Sequence, residues 1–413
     1  MIVFVIGGGP AGMFSAANAA KTGHRVTLFE RNEKLGKKLY ITGKGRCNVT
    51  NIAERDAFFD RVLRNPRFLY SAFSHFDNKA LIERIEHAGV PLKIERGGRV
   101  FPVSDKSSDI LRACEKIVRD AGVTVRLNTR VDEILTQDGA VRGIRVGGEV
   151  LYCDAVVVAT GGISYPQTGS TGDGYIFARA TGHTVEEPVA SLVPLVTEET
   201  WPRELAGVTL KNVTLSAEKK GKEIFSELGE LLFTHFGITG PLVLSLSGVI
   251  AGQPAGTRLS IDLKPALTRE QLDARLLRDL QEGARQQVKT SLHALLPQRL
   301  LEIVLELAKI DGALPVGQLN KAMRLRLLEM LKALPLTISG ARGLNEAVVT
   351  RGGVSVKDVN ASTMESKHIK GLYFAGEVLD IDATTGGYNL QIAWSTGALA
   401  GDSISSQAVA KHE

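Results

Sequence analysis

A glycine-rich turn directly after the first predicted strand constrains this chain more than any other feature of its sequence. The apolar residues 2–6 predict a buried parallel strand. Three glycines follow it in the G-x-G-x-x-G spacing: Gly7, Gly9 and Gly12. Gly7 permits a tight turn, Gly9 lets the backbone approach a pyrophosphate, and Gly12 lets the next helix pack closely on the strand. The pattern predicts a dinucleotide-binding fold.

The helix after this turn, and the strand after that helix, support the same prediction. The helix begins near Pro10 and Ala11, and its unpaired N–H groups and positive dipole end would face the phosphates. The apolar stretch 25–29 then ends at Glu30, which is placed to accept a hydrogen bond from a ribose 2′-hydroxyl. Because an acid at this position prefers an unphosphorylated ribose, we expect FAD or NAD rather than NADP.

Two later strands return the chain to the same cofactor. One apolar strand runs into Thr160 and Gly161. Another, near the C-terminus, runs into Gly376 and Glu377. Three strand ends are more than NAD needs and suit the extended FAD molecule, whose ribityl hydroxyls Glu377 would bind.

The last predicted helix opens beside a glycine pair and the polar residues Tyr388, Asn389 and Gln391. Its N-terminus near Gly387 would point at N1 and the C2 carbonyl of the flavin, where negative charge gathers on reduction. Given the polar residues beside it, we favour a cofactor-binding turn over a simple loop end.

The composition is that of a soluble globular protein with a modestly basic surface. The chain has 413 residues, with 44% hydrophobic and 23% charged residues, and its length suggests two or three domains. A net charge of +5 permits an acidic or nucleic-acid partner without requiring one. Residues 31–46 hold six Lys or Arg side chains against Glu33 alone. These cations could serve the phosphates of the cofactor or those of an RNA.

The cysteines and the apolar segments indicate a cytoplasmic protein. Cys47, Cys114 and Cys153 are widely spaced, without a CxxC or metal-ligand pattern, and this favours free thiols in a reducing compartment. The first strand begins at Ile2, so we expect no signal peptide. Residues 240–252 are too few to span a membrane and contain serines.

The character of the sequence changes twice within the chain. From about residue 188, short alternating strands predict a β-rich segment, and residues 265–335 read as almost purely helical. Because a C-terminal strand and helix complete the nucleotide fold, that fold is discontinuous. The predicted fold class is α/β, with a Rossmann-type FAD-binding domain and two insertions. The predicted domains are the FAD-binding domain (1–187 and 345–413), a β-rich substrate domain (188–264 and 336–344) and a helical domain (265–335).

Six motifs distributed along the chain resemble the BaiN-like family of NAD(P)/FAD-dependent oxidoreductases, which are three-domain bacterial flavoproteins. Lys44 departs from the family pattern, where glycine is frequent, and so does Ala383 in the last loop. The resemblance implies FAD as the cofactor and covers the chain from end to end. The motifs are residues 42–51, 98–102, 159–162, 231–237, 350–354 and 376–391.

We predict FAD contacts from the glycine turn, the acid after the second strand, the basic residues behind it, the glycine-rich loop at 42–48 and the later strand ends. No metal site is predicted. The predicted contacts are Gly7, Gly9, Pro10, Ala11, Gly12, Glu30, Arg31, Lys38, Thr42, Gly45, Arg46, Cys47, Asn48, Thr160, Gly161, Gly376, Glu377, Gly387, Tyr388, Asn389 and Gln391.

A reductase also needs an acid that protonates the substrate. Four side chains in the glycine-rich loops expected around the flavin are candidates: Cys47, Tyr165, His235 and Tyr388. For Cys47, a packed thiol is the more common outcome, and for His235 a hydrogen-bonded structural role is likewise more common than catalysis.

The resemblance leaves the substrate open, because family members are linked to several reactions. These are reduction of a conjugated C=C bond in bile-acid intermediates, dihydrouridine formation in ribosomal RNA, and oxidation of amino compounds. We predict an NAD(P)H-dependent reductase of a conjugated C=C bond, with hydride leaving flavin N5. The alternatives are an amine or amino-acid oxidase that releases hydrogen peroxide, and an rRNA-modifying flavoenzyme of the dihydrouridine synthase type.

The electron donor is expected to visit the flavin transiently. Disulfide reductases that use NAD(P)H carry a second G-x-G-x-x-G domain and a CxxxxC pair, and this sequence has neither. A nicotinamide would therefore enter through the opening that the substrate uses. The expected partner is a small-molecule substrate or rRNA, and the oligomeric state is left open.

Overall fold

The chain forms two compact units in a computed structural model that describes residues 1–410, with side chains to residue 404. Unit 1 comprises residues 1–191 and 344–413, and unit 2 comprises residues 192–343. Both changes of unit fall within a few residues of the predicted ends of the FAD-binding domain. The predicted helical segment 265–335 belongs to unit 2 together with the β-rich segment.

Nineteen strands and thirteen α-helices lie within residues 1–410. The strands are β1 (Ile2–Ile6), β2 (Arg25–Phe29), β3 (Thr50–Asn51), β4 (Leu92–Glu95), β5 (Arg99–Pro102), β6 (Thr124–Arg126), β7 (Glu133–Gln137), β8 (Ala140–Val146), β9 (Glu149–Tyr152), β10 (Ala155–Val158), β11 (Val185–Ser191), β12 (Leu195–Thr197), β13 (Thr209–Lys219), β14 (Lys222–Thr234), β15 (Gly237–Thr239), β16 (Thr257–Asp262), β17 (Leu334–Ala341), β18 (Val349–Val354) and β19 (Leu372–Phe374). The helices are α1 (Pro10–Lys21), α2 (Lys37–Gly45), α3 (Arg55–Phe59), α4 (Tyr70–His75), α5 (Asn78–His87), α6 (Ser107–Asp120), α7 (Asp173–Ala180), α8 (Pro241–Val249), α9 (Arg269–Glu282), α10 (Val288–Ser291), α11 (Gln298–Leu307), α12 (Lys321–Lys332) and α13 (Tyr388–Ala410).

A parallel five-stranded sheet organises unit 1, in the order β19-β10-β1-β2-β6. Its three central strands are apolar and almost completely buried, as expected for a parallel sheet covered on both faces. The three strands predicted to end at the cofactor, β1, β10 and β19, are neighbours in this sheet. The predicted Rossmann-type α/β fold is confirmed.

Helices α1 and α13 pack closely because glycines line the contact. A Cβ atom on Gly397 would lie 2.3 Å from the carbonyl oxygen of Ala11, and one on Gly401 would lie 2.4 Å from that of Ser15. The C-terminal helix is thereby fixed along the helix that follows the glycine turn. The ends of the chain thus complete one nucleotide fold.

Unit 2 is a closed six-stranded barrel with helices packed on it. The strands close in the order β12-β15-β14-β13-β16-β17. Leucines of α9, α11 and α12 join the barrel residues in a single hydrophobic cluster. The helical segment therefore shares its core with the barrel. No helix among residues 1–410 is long and apolar enough to cross a bilayer.

Candidate active site

The glycine turn has the geometry that its spacing predicts. Gly7 has φ of 106°, and a Cβ atom there would lie 2.4 Å from the carbonyl oxygen of Ala159. At Gly12, a Cβ atom would lie 1.8 Å from the carbonyl oxygen of Gly7. Gly9 is different: its φ is −80°, and its Cβ position has nothing within 4 Å. Neither backbone conformation nor packing requires glycine at Gly9, and the open space is where a ligand would approach.

The N-terminus of α1 stands at this open space. Gly9 is its N-cap residue and Pro10 lies in its first positions, without a side-chain cap or an acidic residue in the first turn. The first N–H groups of a helix have no partner within that helix. An anion above Gly9 would receive these donors together with the positive end of the helix dipole.

Glu30 directly follows β2 and is hydrogen-bonded to the glycine turn. Its side chain is buried, and its Oε2 accepts a hydrogen bond from the Gly8 N–H at 2.8 Å. Oε1 accepts from the backbone N–H of Asn32 at 2.8 Å and from its Nδ2 at 2.7 Å. Asn32 was not predicted, although its place two residues after a ribose-binding acid is the available signal. Oε2, which accepts one hydrogen bond, has a second lone pair for a ribose hydroxyl.

A second polar cluster joins the ends of the other two strands. Lys38 Nζ donates to Glu377 Oε2 and to Ser164 Oγ, each at 2.6 Å. Glu377 Oε1 accepts from Ser164 Oγ at 2.9 Å and from the Thr350 N–H at 2.8 Å. The predicted contacts Lys38 and Glu377 are therefore brought together, and Ser164 and Thr350 are added to them. The signal for Thr350 was its place in the motif 350–354.

Three predicted cofactor contacts among the basic residues of 31–46 form ion pairs with carboxylates. Arg31 pairs with Asp173 at 3.1 Å, and Lys38 pairs with Glu377. Arg46 binds the carboxylates of Glu95 and Asp105, and these hydrogen bonds raise the pKa of its guanidinium. Arg46, a predicted cofactor contact, is thus held by two acids in the structure.

The loop at 42–48 is shaped by backbone in the left-handed region. Gly43, Lys44, Gly45 and Cys47 have φ of 58°, 58°, 83° and 60°. The conformation at Lys44 is one that glycine adopts without strain, which agrees with glycine being frequent there in the family. The predicted contact Thr42 holds the loop, since its carbonyl oxygen accepts from the Cys47 N–H at 3.0 Å.

Buried polar atoms without partners lie on three of the predicted cofactor segments. They are Asn48 Oδ1 in the loop, Thr160 Oγ1 after β10 and Thr384 Oγ1 before the last glycine pair. Buried polar atoms in proteins are nearly always hydrogen-bonded. Together with the open space at Gly9, these atoms fit an extended dinucleotide with many hydroxyl and carbonyl groups. The residues present therefore fit FAD.

The two other glycine contacts explain how the strand ends approach one another. Gly376 has φ of 79°, and a Cβ atom there would lie 2.8 Å from Ala11 Cβ. At Gly161, φ is 73° and the nearest atom is Ser170 Oγ at 3.2 Å. The Gly376 contact brings the end of β19 next to the start of α1, and the Gly161 contact packs the residues after β10 on the loop that follows.

Cys47 lies in the hydrophobic core with no exposed surface. Burial raises the pKa of its thiol to about 12, against a smaller opposing effect of a hydrogen bond with Thr42. Its position fits the packed thiol that was the alternative to catalysis. The other two cysteines are also free thiols.

The other acid candidates occupy different surroundings. Tyr165 is half-buried in the loop after β10, with φ of 50°, next to Ser164. Tyr388 is 8% exposed, and its ring packs against Phe58 with centroids 5.2 Å apart. His235 is exposed in the turn between β14 and β15 of unit 2, where its ring contacts Phe236. Tyr165 is thus the candidate in unit 1 with the most accessible position.

Two predicted contacts in the last helix hold protein segments instead. Asn389 pairs its amide with the backbone of Ala383, donating at 2.8 Å and accepting at 2.9 Å. Gln391 is completely buried, accepts from Thr50 Oγ1 at 2.6 Å and donates to Ser395 Oγ at 3.0 Å. The amide of Gln391 thus joins protein segments, and its contact with a cofactor stays a prediction. Gly387 faces the same strand, since a Cβ atom there would lie 2.4 Å from the Thr50 carbonyl oxygen.

Two buried aspartates precede that helix and were not predicted. Asp380 is 2% exposed and accepts from Arg64 Nε at 2.6 Å, and Asp382 is 1% exposed and accepts from Arg351 Nε at 3.2 Å. Burial raises the pKa of Asp382, and the nearby Arg351 opposes this rise. The available signal was a pair of acids inside an apolar stretch next to a cofactor motif.

Comparisons with known proteins show the family of this chain and proteins that share its fold. Residues 1–403 match the family model described as HI0933-like protein Rossmann domain. The chain is 34% identical over 98% of both chains to a ribosomal RNA dihydrouridine synthase of Haemophilus influenzae. It is 33% identical to a 3-dehydro-bile acid delta(4,6)-reductase of Clostridium scindens, over 96% of this chain and 97% of that protein. A 3-ketosteroid-Δ4-(5α)-dehydrogenase of Rhodococcus jostii shares the fold, with a TM-score of 0.54, 16% identity and coverage of 98% and 96%.

Proposed function

Because the chain belongs to the HI0933-like Rossmann-domain family, whose members are oxidoreductases, we propose that it is an FAD-dependent reductase that transfers hydride from NAD(P)H to a C=C bond conjugated with a carbonyl. The observation that carries this proposal is the set of buried unpartnered groups on the predicted cofactor segments, together with the open space at Gly9. The names of the two full-length relatives support the reaction class. A Δ4,6 bond beside a 3-oxo group and the C5=C6 bond of uracil are both conjugated with a carbonyl.

The residues of unit 1 would hold FAD along the three strand ends. The N-terminus of α1 would bind the pyrophosphate above Gly9, and Glu30 would bind the adenosine ribose. Glu377, fixed by Lys38, would face the ribityl hydroxyls. When bound, FAD supplies the hydride at N5. The protein's own contribution is to bind, orient and protonate the substrate.

Tyr165 is the residue we assign to proton delivery. A phenol hydroxyl is a donor that can reach an α-carbon when its side chain is accessible. Tyr165 is accessible, whereas Cys47 has no exposed surface and its burial raises the pKa of the thiol to about 12. The positive φ of 50° at Tyr165 is stabilised locally, since its carbonyl oxygen accepts from Thr168 Oγ1 at 2.7 Å. Non-glycine residues held in the left-handed backbone region cluster at functional sites.

The proposal is tested by separating the two half-reactions. The purified flavoprotein is mixed without oxygen with NADH or NADPH, and the loss of the oxidised flavin band is timed. 2-Cyclohexen-1-one and uridine are then offered to the reduced protein. Reduction by a nicotinamide and reoxidation by either acceptor support the proposal. If neither nicotinamide bleaches the flavin while amines or amino acids do, and hydrogen peroxide is released in air, the protein is an oxidase.

A uridine of ribosomal RNA is the second candidate acceptor, on the strength of the relative at 34% identity. Lys34 and Lys44 are exposed, whereas the cations of Arg31, Lys38 and Arg46 are paired with carboxylates. Exposed cations beside the cofactor loop would suit phosphates. RNA binding that falls steeply with salt, and a gain of two hydrogens in a digested uridine, would support this acceptor. Binding without salt dependence would argue against it.

A further inference from the structure

Two arginines of unit 1 are anchored in the same way through Nε, but the surroundings of their terminal guanidinium nitrogens differ. Arg64 and Arg351 each donate through Nε to a buried carboxylate of the segment 379–383. The Arg64 guanidinium lies 3.6 Å from a second carboxylate, Glu186, and its side chain is 41% exposed. The Arg351 side chain is 15% exposed, and among the described side chains its hydrogen-bond partner is Asp382. The two terminal nitrogens of Arg351 are therefore available, while those of Arg64 already face an acid.

The anchor of Arg351 is rigid. Both carboxylate oxygens of Asp382 lie 3.2 Å from Arg351 Nε, and Oδ2 also accepts from Ser191 Oγ at 2.8 Å. The carbonyl oxygen of Asp382 accepts from the N–H of Leu63 at 2.8 Å. Because the guanidinium is planar, fixing Nε also fixes the direction in which the terminal N–H groups point. A buried ion pair costs desolvation energy, and orienting a functional cation is one reason to retain it.

Arg351 stands between two of the segments that fit the cofactor. Its neighbour Thr350 accepts through Oγ1 from the N–H groups of Ile163 and Ser164 at 2.9 and 3.1 Å. Thr350 also donates its backbone N–H to Glu377, so it belongs to the polar cluster of Lys38, Ser164 and Glu377. On the other side, Asp382 leads within two residues to Thr384, which is 5% exposed and has an unpartnered hydroxyl. A buried hydroxyl without a partner on this segment is a second sign that a ligand completes the region.

We propose that the terminal N–H groups of Arg351 bind the carbonyl oxygen conjugated with the reducible C=C bond of the substrate, with Asp382 as its positioning residue. This inference rests on the proposed function. When hydride from the reduced flavin bonds to the β-carbon, the C=C electron pair moves toward the carbonyl, and the oxygen gains negative charge. Arg351 would stabilise that oxygen by charge-assisted hydrogen bonds until the α-carbon takes a proton.

Four variants test this role: Arg351→Ala, Arg351→Lys, Asp382→Asn and the matched control Arg64→Ala. Each holoprotein is checked for flavin content and melting temperature, and both half-reactions are then timed. We expect Arg351→Ala to slow reoxidation by 2-cyclohexen-1-one or uridine about 100-fold, the usual size for one oxyanion-stabilising donor, with flavin reduction unchanged. Arg351→Lys should recover only part of this loss. Arg64→Ala should reoxidise at the wild-type rate.

Guanidinium ion added to Arg351→Ala separates a chemical role from a structural one. Recovery of reoxidation that saturates with guanidinium concentration, with no effect of guanidinium on the rates of wild type and Arg64→Ala, supports carbonyl binding. For Asp382→Asn we expect a lower limiting rate, because Arg351 is still present but poorly oriented. Wild-type reoxidation in Arg351→Ala would overturn the inference and leave the proposed function intact. A wild-type protein whose reduced flavin reacts with neither acceptor would overturn both.

Discussion

The two units bury different kinds of side chain. The three buried carboxylates of the described residues, Glu30, Asp380 and Asp382, are all in unit 1. The buried polar side chains described in unit 2 are a few hydroxyls, and its core is otherwise apolar, mainly aliphatic with Phe225 and Phe233. Burying charge opposes folding unless it is compensated. Because the buried carboxylates of the described residues lie in unit 1, we place the proposed cofactor and substrate sites there.

The largest effect that would test this comparison is expected at Gly12. In Gly12→Val, a Cβ atom would lie 1.8 Å from the Gly7 carbonyl oxygen, a contact that the backbone cannot relieve. We expect a loss of about 3 kcal/mol or more in the free energy of unfolding, together with loss of flavin. Urea unfolding and flavin content measure both. A wild-type midpoint would show that the turn is not as closely packed as described.

Removing one partner of a buried ion pair in unit 1 should lower the free energy of unfolding more than removing one partner of an exposed pair in unit 2. Asp382→Ala removes the partner of Arg351 in a buried site, and we expect a loss of about 3 kcal/mol. Glu329→Ala removes the partner of Arg269, where both side chains are about half exposed, and should cost less than about 0.5 kcal/mol. Denaturant unfolding of the two variants under one buffer compares them. Equal losses would contradict the distinction between the units.

Gly9 separates cofactor binding from folding. In Gly9→Ala, the new methyl group enters open space at an ordinary φ, so the unfolding midpoint of the apoprotein should stay near that of wild type. The methyl group would meet the pyrophosphate, and we expect FAD affinity to fall about tenfold or more. Gly317→Ala in unit 2 also enters open space and serves as the control, with unchanged affinity. FAD titration of the apoproteins distinguishes them.

The smallest effect is expected at the exposed pair of His75 and Asp402 in unit 1. The hydrogen bond with Asp402 raises the pKa of His75, so the folded state binds the proton more tightly than the unfolded state. The resulting stability is fully present below the unfolded pKa of about 6.5 and is lost as pH rises through the folded pKa. We expect wild type to exceed His75→Gln by less than about 1 kcal/mol at low pH, with the difference shrinking at alkaline pH. A pH-independent difference in urea midpoint would contradict this origin.

The cofactor turn was predictable because its cause is local. The spacing of Gly7, Gly9 and Gly12 after an apolar strand specifies a turn and a helix start by backbone sterics alone, and the structure has both. The Rossmann-type fold and membership of an oxidoreductase family are confirmed on the same grounds. The position of Glu30 at the end of β2 followed from strand length.

The partners of the polar side chains were not predictable. Arg46 was expected at the cofactor, but Glu95 and Asp105, far along the chain, take its donors. Gln391 was predicted at the flavin, and in the structure its amide oxygen accepts a hydrogen bond from Thr50 Oγ1. In both cases, the sequence shows a donor but not which acceptor the fold brings within reach.

The sequence by itself therefore determined the glycine turn, the apolar strands and the family, because these depend on backbone conformation and hydrophobic pattern over a few neighbouring residues. Only the tertiary structure decided which charges meet. Lys38 and Glu377 form an ion pair although 339 residues separate them in the chain. Arg351 and Asp382 form another across 31 residues. Such pairs depend on the arrangement of strands in the sheet, and hydrogen bonds act only over about 3 Å. The substrate-binding role proposed for Arg351 rests on that arrangement.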